Sequence, residues 1–230
     1  TVQGPNGGTE LVNLAGPTTV EVGIPPNGQA QDTDGDGLDD VATEMTQLEL
    51  KGMSSFGPVT VGLDPRRPSR GQIEEVRNNT PGILDVPPFT PAGTASSFFD
   101  VFFEIRVGDN VLHPAKPVHM ATVITHKPPG PGDTYVNPFT EPVELLDANG
   151  NPTGIKILRE VHTPNPEPEI DRFPVTFAQI TVQGPNGASE LVNLAGPTTV
   201  EVGIPPNGQA QDTDGDGLDD VATEMTQLEL

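Results

Sequence analysis

Apolar and polar side chains alternate with a period of two along most of the chain, and the clearest run is Ser97–Val107. There Phe99, Val101, Phe103, Ile105 and Val107 fall on one face, and Phe98, Asp100, Phe102, Glu104 and Arg106 on the other. That spacing predicts a strand buried on one side, the central core strand of a sandwich. Gly108-Asp109-Asn110 then turns the chain back into Val111-Leu112-His113, and Val118–His126 reads as a further strand. Leu145–Leu158 reads as a hairpin whose Asn149-Gly150 segment supplies the positive φ of a tight turn. The run Phe177–Gln183, the turn Gly184-Pro185-Asn186-Gly187 and the run Glu190–Leu194 predict another hairpin. Val41–Leu50 is rich in Thr and also reads as a strand.

The same text occurs twice. Residues 1–50 return as residues 181–230 with two changes, Gly8 to Ala188 and Thr9 to Ser189. An offset of 180 residues makes the repeating unit a domain-sized module, far beyond the 20–50 residues of ordinary solenoid repeats. The expected organisation is three parts. Residues 1–50 form a hairpin, linker and acidic loop leading into a module, 51–180 form the main β-sandwich module, and 181–230 are the second copy of the opening part. In the first copy the run equivalent to Phe177–Ile180 is missing before Thr1. The strand at Glu10–Leu14 is therefore expected to take its partner from a preceding module, in the same chain or in the next subunit.

Composition narrows the class. The 230 residues include 26 Gly and 27 Pro, which would interrupt helices constantly, so the fold class is all-β: a sandwich-like module of about 180 residues in tandem repeat. Pro87–Pro91, Lys127–Gly132 and Thr163–Pro168 read as stiff proline-rich connectors. No cysteine is present, so disulfides contribute nothing and core burial carries stability. A formal net charge of −22, with 11 Lys and Arg against 33 Asp and Glu, argues against nucleic acid and anionic lipid as partners and for cations. No targeting segment or membrane span is legible.

The charge concentrates in Asp32-Thr33-Asp34-Gly35-Asp36-Gly37-Leu38-Asp39-Asp40, repeated as Asp212–Asp220. Carboxylates at positions 1, 3 and 5, a glycine at 6 and a carbonyl at 7 wrap one Ca²⁺. The predicted ligands are Asp32, Asp34, Asp36, the Leu38 carbonyl, Asp40 and Glu44. In the second copy they are Asp212, Asp214, Asp216, Leu218, Asp220 and Glu224. Position 12 is Thr43, with Glu44 one residue late, and no helix-forming run flanks the loop, so this is not an EF-hand. The run resembles the calcium loops of thrombospondin type 3 repeats and dockerins, and that resemblance implies calcium binding alone.

Catalytic signatures are sparse. His113, His119, His126 and His162 lack metal-ligand spacing, no glycine-rich phosphate loop or nucleophile elbow occurs, and Glu74-Glu75 reads as a solvated acidic pair. The chain is expected not to be an enzyme. The whole module resembles the long tandem repeats of very large bacterial surface proteins, planctomycete-like ones among them. The phrases Leu-Asp-Val-Pro-Pro-Phe (84–89), Ser-Ser-Phe-Phe-Asp-Val-Phe-Phe-Glu (96–104) and Ile-Thr-His-Lys-Pro-Pro (124–129) carry that resemblance. It implies a structural fibril, filament, stalk or cell-surface array, extracellular and stiffened by calcium. Its partners would be neighbouring copies of itself, joined covalently or by strand complementation. The alternative is an adhesin or carbohydrate-binding repeat module with glycans as partners, the four phenylalanines of the 98–103 run being its candidate platform.

Overall fold

The computed structural model describes every residue except 24–29, 88, 131, 138–140, 166–168, 204–211, 216, 218–219 and 230. Among the described residues there are strands and turns and no helix. In chain order the strands are β1 (Val2–Gln3), β2 (Thr9–Glu10), β3 (Leu14–Ala15), β4 (Thr18–Val22), β5 (Asp40–Ser54) and β6 (Gly57–Leu63). Next come β7 (Ser69–Glu75), β8 (Ala95–Val101), β9 (Phe103–Val107), β10 (Asn110–Pro114), β11 (Val118–Ile124) and β12 (Tyr135–Val136). The last are β13 (Val143–Asp147), β14 (Pro152–Ile157), β15 (Val161–His162), β16 (Glu169–Gln183), β17 (Ser189–Val202) and β18 (Thr223–Leu228). They form two compact units, Thr1–Pro164 and Asn165–Leu230.

The first unit is an all-antiparallel sandwich. One sheet runs β2-β1-β14-β13-β10-β9-β6-β5-β3, and the other runs β4-β5-β7-β8-β11-β12-β15. Strand β5 belongs to both. Its first half pairs β7 from Asp40↔Glu74 to Met45↔Ser69, and its second half pairs β6 from Glu49↔Gly62 to Ser54↔Gly57. The alternation seen from Ser97 to Val107 crosses between sheets in the same way: Val101 pairs Val118 in one, and Phe103 pairs Leu63 in the other. One core fills the space between them. It takes Val59, Phe103, Leu112 and Leu145 from the first sheet, and Ile73, Phe99, Val118, Met120 and Ile124 from the second. Met45 and Leu48 of β5 join it because Thr46 has no partner across the β4 ladder, a bulge that resets the pleat.

The expected boundary at 50/51 falls inside β5, so residues 1–50 fold as part of the first unit. The boundary at 180/181 likewise falls inside β16. At residues 50–51 strand β5 carries β6 on one side and β3 on the other, and β16 pairs β17 across the whole of Glu169–Gln183.

The crossing between sheets is held by a corner at Asp64–Ser69. Phe102 donates its N–H to Ser69 Oγ (2.9 Å) and accepts from the Asp64 N–H (2.9 Å), and the Arg67 guanidinium lies 4.3 Å over its ring. Asp64, its side chain wholly shielded, accepts from the Arg66 N–H (2.9 Å), Arg66 Nε (3.2 Å) and Arg67 Nε (2.8 Å). Burial pushes its carboxyl up, but these bonds outweigh burial and hold it at about 2. A carboxylate depressed below its unfolded value near 3.8 stabilises the fold above that value, and the contribution is lost as pH falls through about 2. Asp64→Asn is therefore expected to destabilise by about 2 kcal/mol at pH 7, with a penalty that shrinks between pH 4 and pH 2. Denaturant melts across that pH range check this.

The second unit is a three-stranded sheet, β16-β17-β18. Its β17–β18 register, from Val202↔Thr223 to Thr198↔Leu228, repeats that of β4–β5, from Val22↔Thr43 to Thr18↔Leu48, bulge included. The turn also repeats: Val2↔Glu10 and Gln3↔Thr9 recur as Val182↔Glu190 and Gln183↔Ser189. The predicted hairpin at 177–194 is present, and Gly187 adopts φ 80° at its turn.

Candidate metal centre

The acidic loop is closed at its base by backbone bonds between Gln31 and Asp40: Asp40 N–H to Gln31 O (2.8 Å) and Gln31 N–H to Asp40 O (3.2 Å). Within it Gly35 and Gly37 take φ of 83° and 97°, the left-handed region where a Cβ is strained. Those two reversals curl the backbone around the first carboxylate. Asp32 accepts N–H bonds from Gly35 (2.7 Å), Asp36 (3.1 Å) and Gly37 (3.0 Å). Asp34 accepts from Asp36 (3.2 Å), and Asp36 accepts from Leu38 (2.8 Å).

The outcome is convergence. One oxygen each of Asp32, Asp34 and Asp36 lies within 4.8 Å of the others, all three exposed. At such a spacing each like-charge pair costs about 1 kcal/mol in water and a few kcal/mol at an effective dielectric near 20. Three hard oxygens on a curled, glycine-hinged backbone fit a hard cation such as Ca²⁺.

The remaining predicted ligands divide. Asp40 is not one of the three converging carboxylates, and it accepts from the Thr33 N–H (3.0 Å) and hydroxyl (2.6 Å). Leu38 sits in the loop with its N–H on Asp36. Glu44 is not brought to the site. It lies four residues beyond Asp40 in an extended strand, about 13 Å on at 3.3 Å per residue, and its carboxylate is 3.8 Å from the Arg70 guanidinium.

In the second copy Gly215 and Gly217 repeat the positive φ (82° and 89°), and Asp212 accepts from both glycine N–H groups. There the converging oxygens belong to Asp212, Asp214 and Asp220, with Asp220 also accepting from Thr213. The Thr213 hydroxyl, then its N–H, hold the Asp220 carboxyl below its usual range. Glu224 lies exposed in β18, opposite Glu201, as Glu44 lies opposite Glu21. The predicted ligands Asp216 and Leu218 lie outside the described residues.

The structure adds residues that spacing could not reveal. Glu74 pairs with Asp40 across β5 and β7, and its carboxyl is pushed up by burial and then by Asp36, Asp34, Asp40 and Asp32. Glu75 is not the solvated acid expected from the sequence. It is buried, and it accepts from the Asp39 N–H (3.0 Å) and the Asp85 N–H (2.9 Å). Asp39 in turn accepts from Gly82 N–H and from Asn78 Nδ2 (3.3 Å), which also donates to Gly37 O (3.2 Å). Asp85 accepts from the Asn79 and Thr80 N–H groups. Three buried carboxylates thus tie the loop's exit to the 78–85 segment. Only a sheet pairing between residues more than 30 positions apart makes that possible.

The phenylalanine run forms no platform. Phe99 and Phe103 are core, Phe98 stacks on His119 (5.2 Å between centroids), and Phe102 lies under Arg67. His119 Nδ1 is 2.9 Å from Asp100.

No protein-family model matches the chain, and no curated protein does. Among solved structures the fold is similar to that of DynF from the dynemicin biosynthesis pathway of Micromonospora chersina, with a TM-score of 0.54 and 19% identity over 69% of this chain and 71% of that one. A likeness at that identity is one of fold: the chain shares an all-β architecture with DynF.

Proposed function

We propose that this chain is a stretch of a structural tandem array outside the cell, a fibre, stalk or surface layer whose module joints are stiffened by Ca²⁺, and that it performs no catalysis. One observation carries the reading. The two copies of the 50-residue segment adopt the same strand registers, bulge and glycine turns although the rest of their units differs. A segment that folds alike in two surroundings suits end-to-end repetition. The large bacterial surface proteins that the module resembles are the natural comparison.

In this reading Asp32, Asp34 and Asp36 hold the ion, and Glu74 stands where Glu44 was expected to complete the shell. Extracellular modules bind calcium at about 10⁻⁴–10⁻³ M, so such sites stay filled. Millimolar Ca²⁺ is expected to slow amide exchange in residues 32–40 at least tenfold, with chelator reversing it and Asp34→Asn abolishing the response of that loop. The first loop is expected to bind more tightly than the second, because Glu74 and the Glu75 network are built around it. Exchange that is unchanged by calcium in both loops would sink the clamp.

A further inference from the structure

Strands β5, β6 and β9 lie side by side in one sheet of the first unit, and their register sets outward side chains in two rows across it. Glu49 is opposite Gly62, which is opposite Glu104; Lys51 is opposite Thr60, which is opposite Arg106. Along β5 the Lys51 ammonium reaches the Glu49 carboxylate (2.7 Å), and along β9 the Arg106 guanidinium reaches the Glu104 carboxylate (2.8 Å). Two ion pairs therefore stand as walls, two strand spacings or about 9–10 Å apart, with Thr60 and Gly62 as the floor between them. The groove has a volume of about 360 Å³, at the small end of the range for ligand pockets.

Gly62 opens the groove, and the fold does not require it. Glycine weakens a strand interior, where it marks a bulge, a tight bend, or a place that a ligand or another backbone approaches closely. The ladders through Gly62 run in register on both sides, and its φ is not positive. A β-carbon there would come no nearer than 3.4 Å to its closest neighbour, the Leu48 carbonyl oxygen, which is an ordinary contact. Gly52 and Gly71 are different. β-Carbons at those strand positions would lie 2.2 and 2.0 Å from the backbone oxygens of Asn13 and Phe98. Those two glycines serve strand packing, whereas Gly62 leaves open space above β6.

We infer that this groove binds a neutral saccharide. The lining selects the ligand class. Its four charges cancel as two pairs, in a chain whose net charge of −22 repels anions, and a cation would have to displace Lys51 or Arg106 from carboxylates already held. Among the described residues no aromatic side chain lines the groove, so it offers no apolar platform. A peptide added as a strand needs a free edge, and β6 is paired along both. What remains is carboxylate acceptors alternating with ammonium and guanidinium donors on both walls. That arrangement suits hydroxyl groups, each of which donates and accepts. In the array proposed above every module carries such a groove, so a polymeric saccharide engages several at once and gains avidity. The inference adds a binding role to the array and does not depend on calcium.

The test is a titration of the isotopically labelled full chain with cellotetraose, maltotetraose and N-acetylchitotetraose, read by amide chemical shifts. At least one of the three is expected to shift the Lys51, Thr60, Gly62 and Arg106 amides saturably in the millimolar range. Gly62→Val puts a side chain on the floor and is expected to weaken that binding at least tenfold, with the urea midpoint no lower than in the native chain. Arg106→Ala, changed at a side chain 59% exposed, removes part of one wall and leaves the floor alone. It is expected to weaken binding at least threefold and decides the matter should the valine variant fold poorly. Shifts at those amides from none of the three sugars, undiminished binding in both variants, or equal shifts from tetragalacturonate, with a carboxylate on each ring, would each overturn the inference. Shifts centred on Phe98 and His119 would also overturn it, because those residues pair in the other sheet.

Discussion

Replacing Glu75 by leucine is expected to destabilise the first unit by about 2–4 kcal/mol, a large share of the 5–15 kcal/mol that holds a domain together. The side chain is 1% exposed, and both of its oxygens accept buried backbone N–H groups, from Asp39 and Asp85. Leucine fills the volume and accepts neither bond, leaving two buried donors at about 1–3 kcal/mol each. Relief of a buried charge offsets part of that cost, because burial pushes the Glu75 carboxyl up even though the N–H bonds from Asp39 and Asp85 pull it down. Tyr135 is the chain's single tyrosine, there is no tryptophan, and it lies 5% exposed in the core of the first unit. Its fluorescence during urea unfolding therefore reports that unit alone. The variant should also exchange the Asp39, Gly82 and Asp85 amides faster than the native chain at matched stability. A loss below about 0.5 kcal/mol would mean that water satisfies both donors and that Glu75 does not seat the loop.

Truncating Ile124 to alanine is expected to cost about 2–5 kcal/mol. Ile124 is fully buried near the end of β11, opposite Ala95, itself fully buried, so little around it can relax into the space. Its neighbour Val123 points the other way and is 55% exposed, so Val123→Ala is expected to stay within about 0.5 kcal/mol. The pair measures the sidedness of one strand with a single method, tyrosine-reported unfolding. Equal losses at both positions would contradict the packing of the β11 sheet.

Much of this protein is legible from local pattern. A period of two over Ser97–Val107 identifies a core strand, and Ala95, Ser97, Phe99, Val101 and Phe103 are indeed buried in alternation. Asn149-Gly150 and Pro185-Asn186-Gly187 mark hairpins because positive φ suits glycine, and Gly150 and Gly187 take φ of 83° and 80°. The curl of the acidic loop is legible for the same reason. In each case the determining interactions lie within a few residues.

Other features depend on residues distant in sequence. The break at Phe102 that hands one strand to two sheets is set by Asp64 and Ser69, more than 30 residues away. Glu44 looked like a ligand because it follows the loop, yet an extended strand carries it to Arg70. Glu74 looked solvated, yet strand pairing sets it beside Asp40.

The repeat separates the two kinds of information most sharply. The 50-residue segment determines by itself the turn after Gln3, the β4–β5 register with its bulge and the glycine-hinged loop, and all of these recur in the second copy. It does not determine what is core. Met45 and Leu48 are buried, and the identical Met225 and Leu228 are half exposed. Backbone hydrogen bonds and φ preferences act over a few residues, whereas burial is a property of what packs against a face, and only the tertiary structure supplies that.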